Sequence, residues 1–348
     1  MKLKFFLLNT FLVITSITIT LLVSEMILKA FGIGSSVSDN VMNINENGIV
    51  LKSDNPRLVY TFKSNFPNET STQGFRENKV YHKTKGKGVS RIIALGDSVA
   101  YGVALNVEKN FLTLLENKSN SLRPQKFDII NMAISGYSTT QEVEFLKEAG
   151  LGFSPNEVWI FYVLNDASYD GGEFALIGQE KLLFSKKVND LTFLGQLRKN
   201  SNIWKLMETY LFSKRIQQVV DNKIENDKIK YAQKRKIKSY FHAMHMDEYF
   251  EETKASFVEL NNLSKKHNFK IKVFIMPILD NKNGYYFSEV HDIVKTTLHS
   301  MGIEVHDLLD ELKEEDLSKY RLSENDTLHL NENGHKRISY LLEKYLPE

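Results

Sequence analysis

The stretch RIIALGDSVAYG, residues 91–102, decides the fold that the rest of the chain predicts. Ile92 to Leu95 are apolar, rich in β-branched side chains and too few for a helix, so they predict a buried strand. Gly96 permits a tight exit, and Ser98 follows just past the carboxyl end of this strand, ahead of a predicted helix. Ligands bind at that edge in doubly wound α/β sheets. Ser98 is therefore a candidate nucleophile, with the N-cap of the next helix as the open alternative.

Composition sets the broad class of the protein. The chain has 348 residues, of which 42% are hydrophobic and 25% charged, values typical of globular domains with a real core. The net charge of +2 gives no indication of a nucleic-acid partner. The sequence contains no cysteine, which excludes disulfides, thiolate catalysis and cysteine-based zinc sites.

The amino terminus predicts a membrane segment. Lys2 and Lys4 precede a charge-free apolar stretch from Phe5 to Ser24, which reaches the length of about 20 residues that a spanning helix needs. The basic flank predicts a cytoplasmic amino terminus and an exported remainder. We predict a single-pass anchor in residues 1–32. The alternative is a cleaved signal peptide, whose apolar region is usually only about 7–15 residues long, and which would leave a secreted protein.

The remaining chain predicts a lead-in followed by one α/β domain. Residues 33–88 are predicted as a stalk and lead-in, with a candidate edge strand at 58–62. From residue 89 to 348, strand and helix patterns alternate, which predicts a parallel sheet covered on both faces. After the strand at 92–95, the predicted strands are 127–131, 157–163, 270–276 and 303–307. Helices are predicted at 141–150 and 334–345, among others.

A helical insertion is predicted at about 170–266, because the third and fourth strands are far more widely separated than a crossover of roughly 10–12 residues requires. Its basic run at 228–238 is interpreted as a solvated helix face, or as a contact with anionic headgroups or an acidic polysaccharide. His242 and His245 have the spacing of metal ligands. No third ligand lies nearby in the sequence, so neither a metal site nor a cofactor is predicted.

Three further loops carry residues with chemical potential. Gly136 follows the second predicted strand as either a turn glycine or an N–H donor to a developing oxyanion. Asn165 follows the third strand, as an amide donor or as part of an Asx turn or helix cap. Asp326 precedes His329 by three residues, a spacing that lets the carboxylate fix the imidazole tautomer and stabilise the imidazolium. A serine nucleophile needs such a supported base.

Taken together, these stretches resemble the sequence blocks of the SGNH/GDSL hydrolase superfamily, in the order of that family and across about residues 91–345. The lead-in Gly74-Phe75-Arg76 is similar to a stretch common in membrane-anchored members. Val163 and Ala133 stand where the family usually has glycine. The pattern Gly-x-Ser-x-Gly is absent, which disfavours an α/β-hydrolase elbow. The resemblance is carried by Gly96-Asp97-Ser98 with Gly102, by Gly136, by Asn165-Asp166, and by Asp326 with His329.

The resemblance implies a three-layer α/β/α sandwich around a five-stranded parallel sheet of order 2-1-3-4-5. It implies that Ser98 is the nucleophile, that His329 is its base, and that Asp326 orients His329. The oxyanion hole would consist of the N–H groups of Ser98 and Gly136 and the side chain of Asn165. Two nearby residues are expected to have structural roles: Asp97 in holding the loop and His335 on the last helix.

The expected function is a serine esterase that removes acyl groups, O-acetyl first among them, from an extracytoplasmic carbohydrate or lipid. One alternative is an O-acyltransferase that uses the same triad to modify an extracytoplasmic polysaccharide. A second alternative is a catalytically silent binding or scaffold protein. The expected partners are the acylated substrate and, through the amino-terminal helix, the membrane.

Overall fold

The computed structural model describes residues 2–30, 49–58, 60–167, 201–204, 206–207, 240–246 and 248–347. The chain divides into two compact units, which are Met1–Val50 with Ile177–Asn222 and Leu51–Leu176 with Lys223–Glu348. Most of the insertion predicted at about 170–266, with its basic run at 228–238, lies outside the described residues. The part of the predicted stalk before residue 49 lies outside them as well.

The first unit contains helix α1, Lys2–Ala30. Its segment Lys4–Ala30 has a mean hydropathy of 2.2 and is long and apolar enough to cross a membrane. Threonine hydroxyls along the helix donate to the carbonyl oxygen four residues earlier, as Thr10 does to Phe6 at 2.9 Å. These bonds satisfy polar groups that an apolar environment would otherwise leave unpaired.

The second unit is built on a parallel sheet of five strands: β3 Val89–Gly96, β4 Lys126–Asn131, β5 Glu157–Tyr162, β6 Lys270–Ile275 and β7 Glu304–Asp307. Along the sheet they lie in the order β4-β3-β5-β6-β7, which is the order 2-1-3-4-5 that the resemblance implies. All four pairings are parallel, with Ala94 opposite both Asn131 and Trp159. β5 is buried along its whole length, as a strand covered on both faces must be.

Helices flank the sheet and connect its strands. The α-helices of this unit are α2 Ser98–Tyr101, α3 Phe111–Leu122, α4 Thr139–Phe145, α5 Tyr240–Met244, α6 Glu248–His267, α7 Ser288–Ser300, α8 Leu309–Leu312 and α9 Glu332–Leu342. Short 3-10 helices lie at Val107–Lys109, Leu151–Phe153, Leu317–Tyr320 and Glu343–Tyr345, and a π-helical turn at Leu146–Gly150 extends α4. The two helices predicted at 141–150 and 334–345 therefore each contain an α-helical part and a differently wound end.

The segment predicted as a stalk and lead-in, residues 33–88, is described from residue 49 onward except for residue 59. From Leu51 onward it belongs to the same unit as the sheet. The candidate strand at 58–62 is β2, Tyr60–Phe62, which pairs with β1, Val50–Lys52, in a separate two-stranded sheet. The Arg76 N–H then donates to the Asn131 carbonyl at the end of β4, at 3.0 Å.

Candidate active site

Ser98 is the first residue of helix α2, directly after strand β3. Gly96 is the last strand residue, and no side chain fits there because a Cβ on residue 96 would lie 2.6 Å from the Cβ of Ala100. The N-cap of α2 is Asp97, whose carboxylate accepts the Val99 N–H at 2.8 Å. The alternative that Ser98 itself caps the helix is therefore wrong. The Ser98 hydroxyl does not cap the helix and can form a hydrogen bond with another group.

The structure brings Ser98, His329 and Asp326 together as a chain of hydrogen bonds. Ser98 Oγ lies 2.8 Å from His329 Nε2, and His329 Nδ1 lies 2.8 Å from Asp326 Oδ2. An ionised carboxylate only accepts hydrogen bonds, so Nδ1 carries the imidazole proton and Nε2 is free to accept the serine hydroxyl. This is the tautomer that a general base for Ser98 requires.

Asp326 is held by the turn that it begins. Its Oδ1 accepts the N–H groups of Leu328 at 3.0 Å and His329 at 2.9 Å. Burial raises the pKa of the Asp326 carboxyl, but the hydrogen bonds from the backbone and side chain of His329 and from the Leu328 N–H outweigh it, and the net pKa is lowered. The three-residue spacing thus orients the carboxylate and keeps it ionised.

Two buried N–H groups lie at the carboxyl ends of the neighbouring strands β3 and β4. Gly136 has φ of 86°, a conformation that favours glycine. Within the described part of the chain, the N–H groups of Ser98 and Gly136 have no hydrogen-bond acceptor. Buried N–H groups are almost always paired. Both N–H groups are therefore candidates to bind a ligand oxygen.

Asn165 follows β5 and is joined to the loop that carries Ser98. Its Nδ2 donates to Asp97 Oδ2 at 3.0 Å, and the same oxygen lies 3.3 Å from Ser98 Oγ. The adjacent Asp166, and not Asn165, closes the turn by accepting the Val163 N–H at 2.7 Å. Asp97 thus holds the loop that carries Ser98, as expected, and within the described residues the second amide hydrogen of Asn165 has no acceptor.

The two departures from the family pattern do not strain the backbone. Neither Val163 nor Ala133 has a positive φ, so their positions accept a side chain. Asn131 is fully buried, donates to the Ala100 carbonyl and accepts the Ala133 N–H, both at 3.0 Å. Asn131 thereby links the loop that follows β4 to helix α2.

Arg76 is a supporting residue whose role the sequence did not reveal. Its guanidinium is buried beneath the turn after α2 and donates to the carbonyl oxygens of Tyr101, Leu105, Asn68 and Glu69. It also pairs with the Glu69 carboxylate at 2.7 Å. The resemblance marks Gly74-Phe75-Arg76 as a motif but does not show the partners of Arg76, which lie 7 to 29 residues away in the sequence.

The other histidines noted in the sequence have structural contacts. His335 lies on α9 as expected; its Nδ1 accepts the Phe111 N–H at 3.1 Å, and burial lowers its pKa to about 3. His245 Nε2 lies 2.6 Å from the Tyr162 hydroxyl, and burial lowers its pKa to about 3 as well. In the described ranges, no three His, Asp or Glu side chains converge as metal ligands do.

Comparison with known proteins gives only distant structural similarity. No protein-family model and no curated protein matches the chain. Similar solved structures include an acetylxylan esterase from Geobacillus stearothermophilus, with 13% identity over 76% of this chain and 98% of that one and a TM-score of 0.44. A lipase/acylhydrolase from Enterococcus faecalis has 15% identity over 74% and 94%, with a TM-score of 0.41.

A third similar structure is described as a lipolytic protein of the G-D-S-L family, from Desulfitobacterium hafniense DCB-2. It has 12% identity over 74% of this chain and 99% of that one, with a TM-score of 0.40. The solved structures similar to this chain thus include a protein of the superfamily that its motifs resemble. At these TM-scores they add nothing to the geometry of the site.

Proposed function

We propose that the protein is a serine ester hydrolase of the SGNH/GDSL type. The observation that carries the proposal is the continuous hydrogen-bond chain from Ser98 Oγ through His329 to Asp326, with both bonds at 2.8 Å. A base on one side of the serine and unpaired N–H donors beside it are the two requirements of acyl transfer.

The proposed reaction proceeds through an acyl-serine. Ser98 Oγ forms a bond to the ester carbonyl carbon while His329 Nε2 takes the hydroxyl proton, and Asp326 stabilises the resulting imidazolium. The carbonyl oxygen accepts hydrogen bonds from the N–H groups of Ser98 and Gly136 and from the Asn165 amide. The C–O bond to the alcohol then breaks and His329 returns the proton to the leaving oxygen. A water molecule then attacks the acyl carbon while His329 takes its proton. The bond to Ser98 Oγ breaks, and His329 returns the proton to Ser98.

We further propose that the substrate is an acyl ester, O-acetyl in the first instance, of a carbohydrate or lipid outside the cytoplasm. Helix α1 supports this location, because it is apolar over Lys4–Ala30 and follows a basic amino terminus. A membrane-held esterase would encounter envelope molecules as its nearest substrates.

A fluorophosphonate probe tests the nucleophile on the full-length chain in detergent. We expect covalent labelling of the wild type, loss of labelling in Ser98→Ala, and unchanged labelling in Ser300→Ala, a control at an exposed serine. Equal labelling of wild type and Ser98→Ala would contradict the proposal. Measuring acetate release with and without a sugar acceptor then separates hydrolysis from acyl transfer.

The Asn165 donor is tested by Asn165→Ala. Removal of one oxyanion donor typically lowers kcat by on the order of 10²–10³, with little change in KM. Asn262→Ala, at an exposed position on α6, is the control and should retain full kcat on an aryl acetate. A wild-type kcat in Asn165→Ala would remove Asn165 from the proposed hole.

A further inference from the structure

Two buried carboxyl groups behind the candidate oxyanion hole have no part in the proposed mechanism. Glu142 lies in the first turn of α4 and is 1% exposed, and Asp166 lies in the loop after β5 and is fully buried. The Thr139 N–H donates to the Asp166 carbonyl at 3.2 Å, which joins the start of α4 to this loop. With Asp97 they form a group of three buried acids, which we term the carboxyl cluster.

The cluster has too few hydrogen-bond donors for three carboxylates. In the described part of the chain, both Glu142 oxygens, Asp166 Oδ1 and the neighbouring Asn165 Oδ1 lack any partner. None of the described lysines or arginines forms an ion pair with the cluster. A carboxylate can only accept hydrogen bonds, whereas a carboxylic acid also donates one. Protonation removes a negative charge that neither hydrogen-bond donors nor cations compensate.

The three acids differ in how well their ionised forms are solvated by the protein. Asp97 accepts hydrogen bonds on both oxygens, from the Val99 N–H on one and from the Asn165 amide on the other. Asp166 accepts one, from the Val163 N–H. Glu142 accepts none in the described structure. Asp97 is thus the acid best able to hold a negative charge, and Glu142 the least able.

The electrostatics agree with this order. Burial raises the pKa of all three carboxyls, and the charge of Asp97 raises the pKa of both Glu142 and Asp166 further. The titratable groups around the cluster are His329 and Tyr60 near Asp97, and Tyr162 near Glu142 and Asp166. None of these is a lysine or arginine that would favour ionisation of the cluster.

We propose that Glu142 and Asp166 are held as neutral carboxylic acids. In this state Asp97 carries the only carboxylate charge of the cluster and orients the Asn165 amide through its hydrogen bond. Further ionisation would place a second negative charge behind Asn165, where the reaction develops an oxyanion. The inference rests on the proposed function, since the hole matters only if Ser98 carries out acyl transfer.

The pH profile of kcat tests this inference, with the full-length protein and an aryl acetate. Glu142→Gln keeps the shape and neutrality of the acid, so we expect kcat at neutral pH within about twofold of wild type. The fall of kcat at alkaline pH should start at higher pH in the variant, because one ionising group is gone. Glu144→Gln, two residues further along the same helix and paired with Arg57 and Lys147, should reproduce the wild-type profile.

Infrared difference spectroscopy tests the protonation state without any activity. The spectrum of wild type minus Glu142→Gln should contain the C=O band of a protonated carboxylic acid at neutral pH, and wild type minus Glu144→Gln should contain only carboxylate bands. A carboxylate band for Glu142, or a loss of kcat of about tenfold or more in Glu142→Gln with an unchanged pH profile, would overturn the inference. Failure of fluorophosphonate labelling with the acid band present would instead reject only the esterase.

Discussion

At the scale of single residues, the candidate site depends on which atom holds each proton. Asp326 uses one oxygen for two backbone N–H groups and the other for His329 Nδ1. Only this arrangement leaves Nε2 unprotonated toward Ser98. The Asp326 carboxylate therefore determines the tautomer of His329. An isosteric substitution of Asp326 can separate the effect of its charge from the effect of its shape.

Asp326→Asn is the substitution that makes this separation. The amide oxygen can keep the two backbone bonds, which places the amide NH₂ against Nδ1 and forces the imidazole proton onto Nε2. We expect kcat to fall by on the order of 10⁴ with the fold intact, as such a change does in serine hydrolases with this triad. The control Asp310→Asn alters an exposed acid on α8. Equal kcat values for Asp326→Asn and Asp310→Asn would contradict the prediction.

The sequence predicted which residues would meet, and the structure corrects how they are held. Ser98 and Asn165 could be predicted because carboxyl ends of parallel strands lie at one edge of a sheet, and the Asp326–His329 pair could be predicted from its three-residue spacing. The capping role of Asp97 depends on the backbone angles after Gly96, which no local pattern fixes. The missing partners of Glu142 depend on residues from three separate loops. The catalytic roles themselves remain predictions.

At the scale of elements, the lead-in before β3 supports the helix that carries Ser98. Arg76 is 1% exposed and bonds to four carbonyl oxygens and the Glu69 carboxylate. These oxygens lie on the loop at 68–69 and on the turn after α2, so Arg76 joins two segments that have few other bonds between them. The Arg76 guanidinium carbon also lies 4.5 Å from the centre of the Tyr101 ring, which adds a cation–π interaction.

Arg76→Ala should therefore destabilise the protein strongly. Removing the guanidinium takes one donor from each of four carbonyl oxygens and the cationic partner from Glu69, a change that typically costs about 3–5 kcal/mol. We expect the free energy of unfolding, measured by urea denaturation of the full chain in detergent, to fall by that amount. Arg57→Ala is the matched control, since Arg57 is 60% exposed and pairs with Glu144 at 3.3 Å. Its cost should stay below about 1 kcal/mol.

The free edge of β4 is covered by side chains from neighbouring elements. Glu77 accepts the Asn131 N–H and Glu116 accepts the Ile129 N–H, both at 3.0 Å, while the Tyr81 hydroxyl donates to the Ile129 carbonyl. These bonds satisfy groups that an exposed edge would offer to another chain. They also bury Glu77, and burial together with the charge of Glu116 raises the pKa of Glu77 to about 8.

This pKa predicts a loss of stability as the pH rises. The folded protein keeps the Glu77 proton between about pH 5 and pH 8, whereas the unfolded chain has lost it, so each pH unit lowers the free energy of unfolding by up to about 1.4 kcal/mol. Glu77→Gln keeps an acceptor for the Asn131 N–H and removes this dependence. Urea denaturation at several pH values should give a flatter profile for Glu77→Gln than for wild type. The exposed control Glu251→Gln should follow the wild type.

The strands were easier to predict than the lead-in for a physical reason. Runs of apolar residues such as 157–163 identify buried strands by themselves, and β5, Glu157–Tyr162, differs from its prediction by one residue. Polar side chains of the lead-in, such as those of Glu77 and Tyr81, form hydrogen bonds with the backbone of β4. Such long-range bonds have no local signature, so the same segment was predicted to be a stalk.

At the scale of the whole molecule, the open question is which side of a membrane the second unit occupies. Helix α1 is long and apolar enough to span a bilayer, and lysines flank its amino end. Under the proposed topology, the positive-inside rule puts the amino terminus in the cytoplasm and the residues after α1 outside. The chain has no cysteine, so one introduced thiol reports its own location without background.

Two single-cysteine variants of the full chain test this topology. Ser300→Cys lies at an exposed position at the end of α7 and should react with a membrane-impermeant maleimide in intact cells. Lys4→Cys, at the cytoplasmic end of α1, should react only after the membrane is opened. The opposite pattern would reverse the orientation and remove the basis for an extracytoplasmic substrate. If the mature Ser300→Cys variant contains its cysteine but the mature Lys4→Cys variant does not, α1 is a cleaved signal peptide. The proposed esterase would then be a secreted protein.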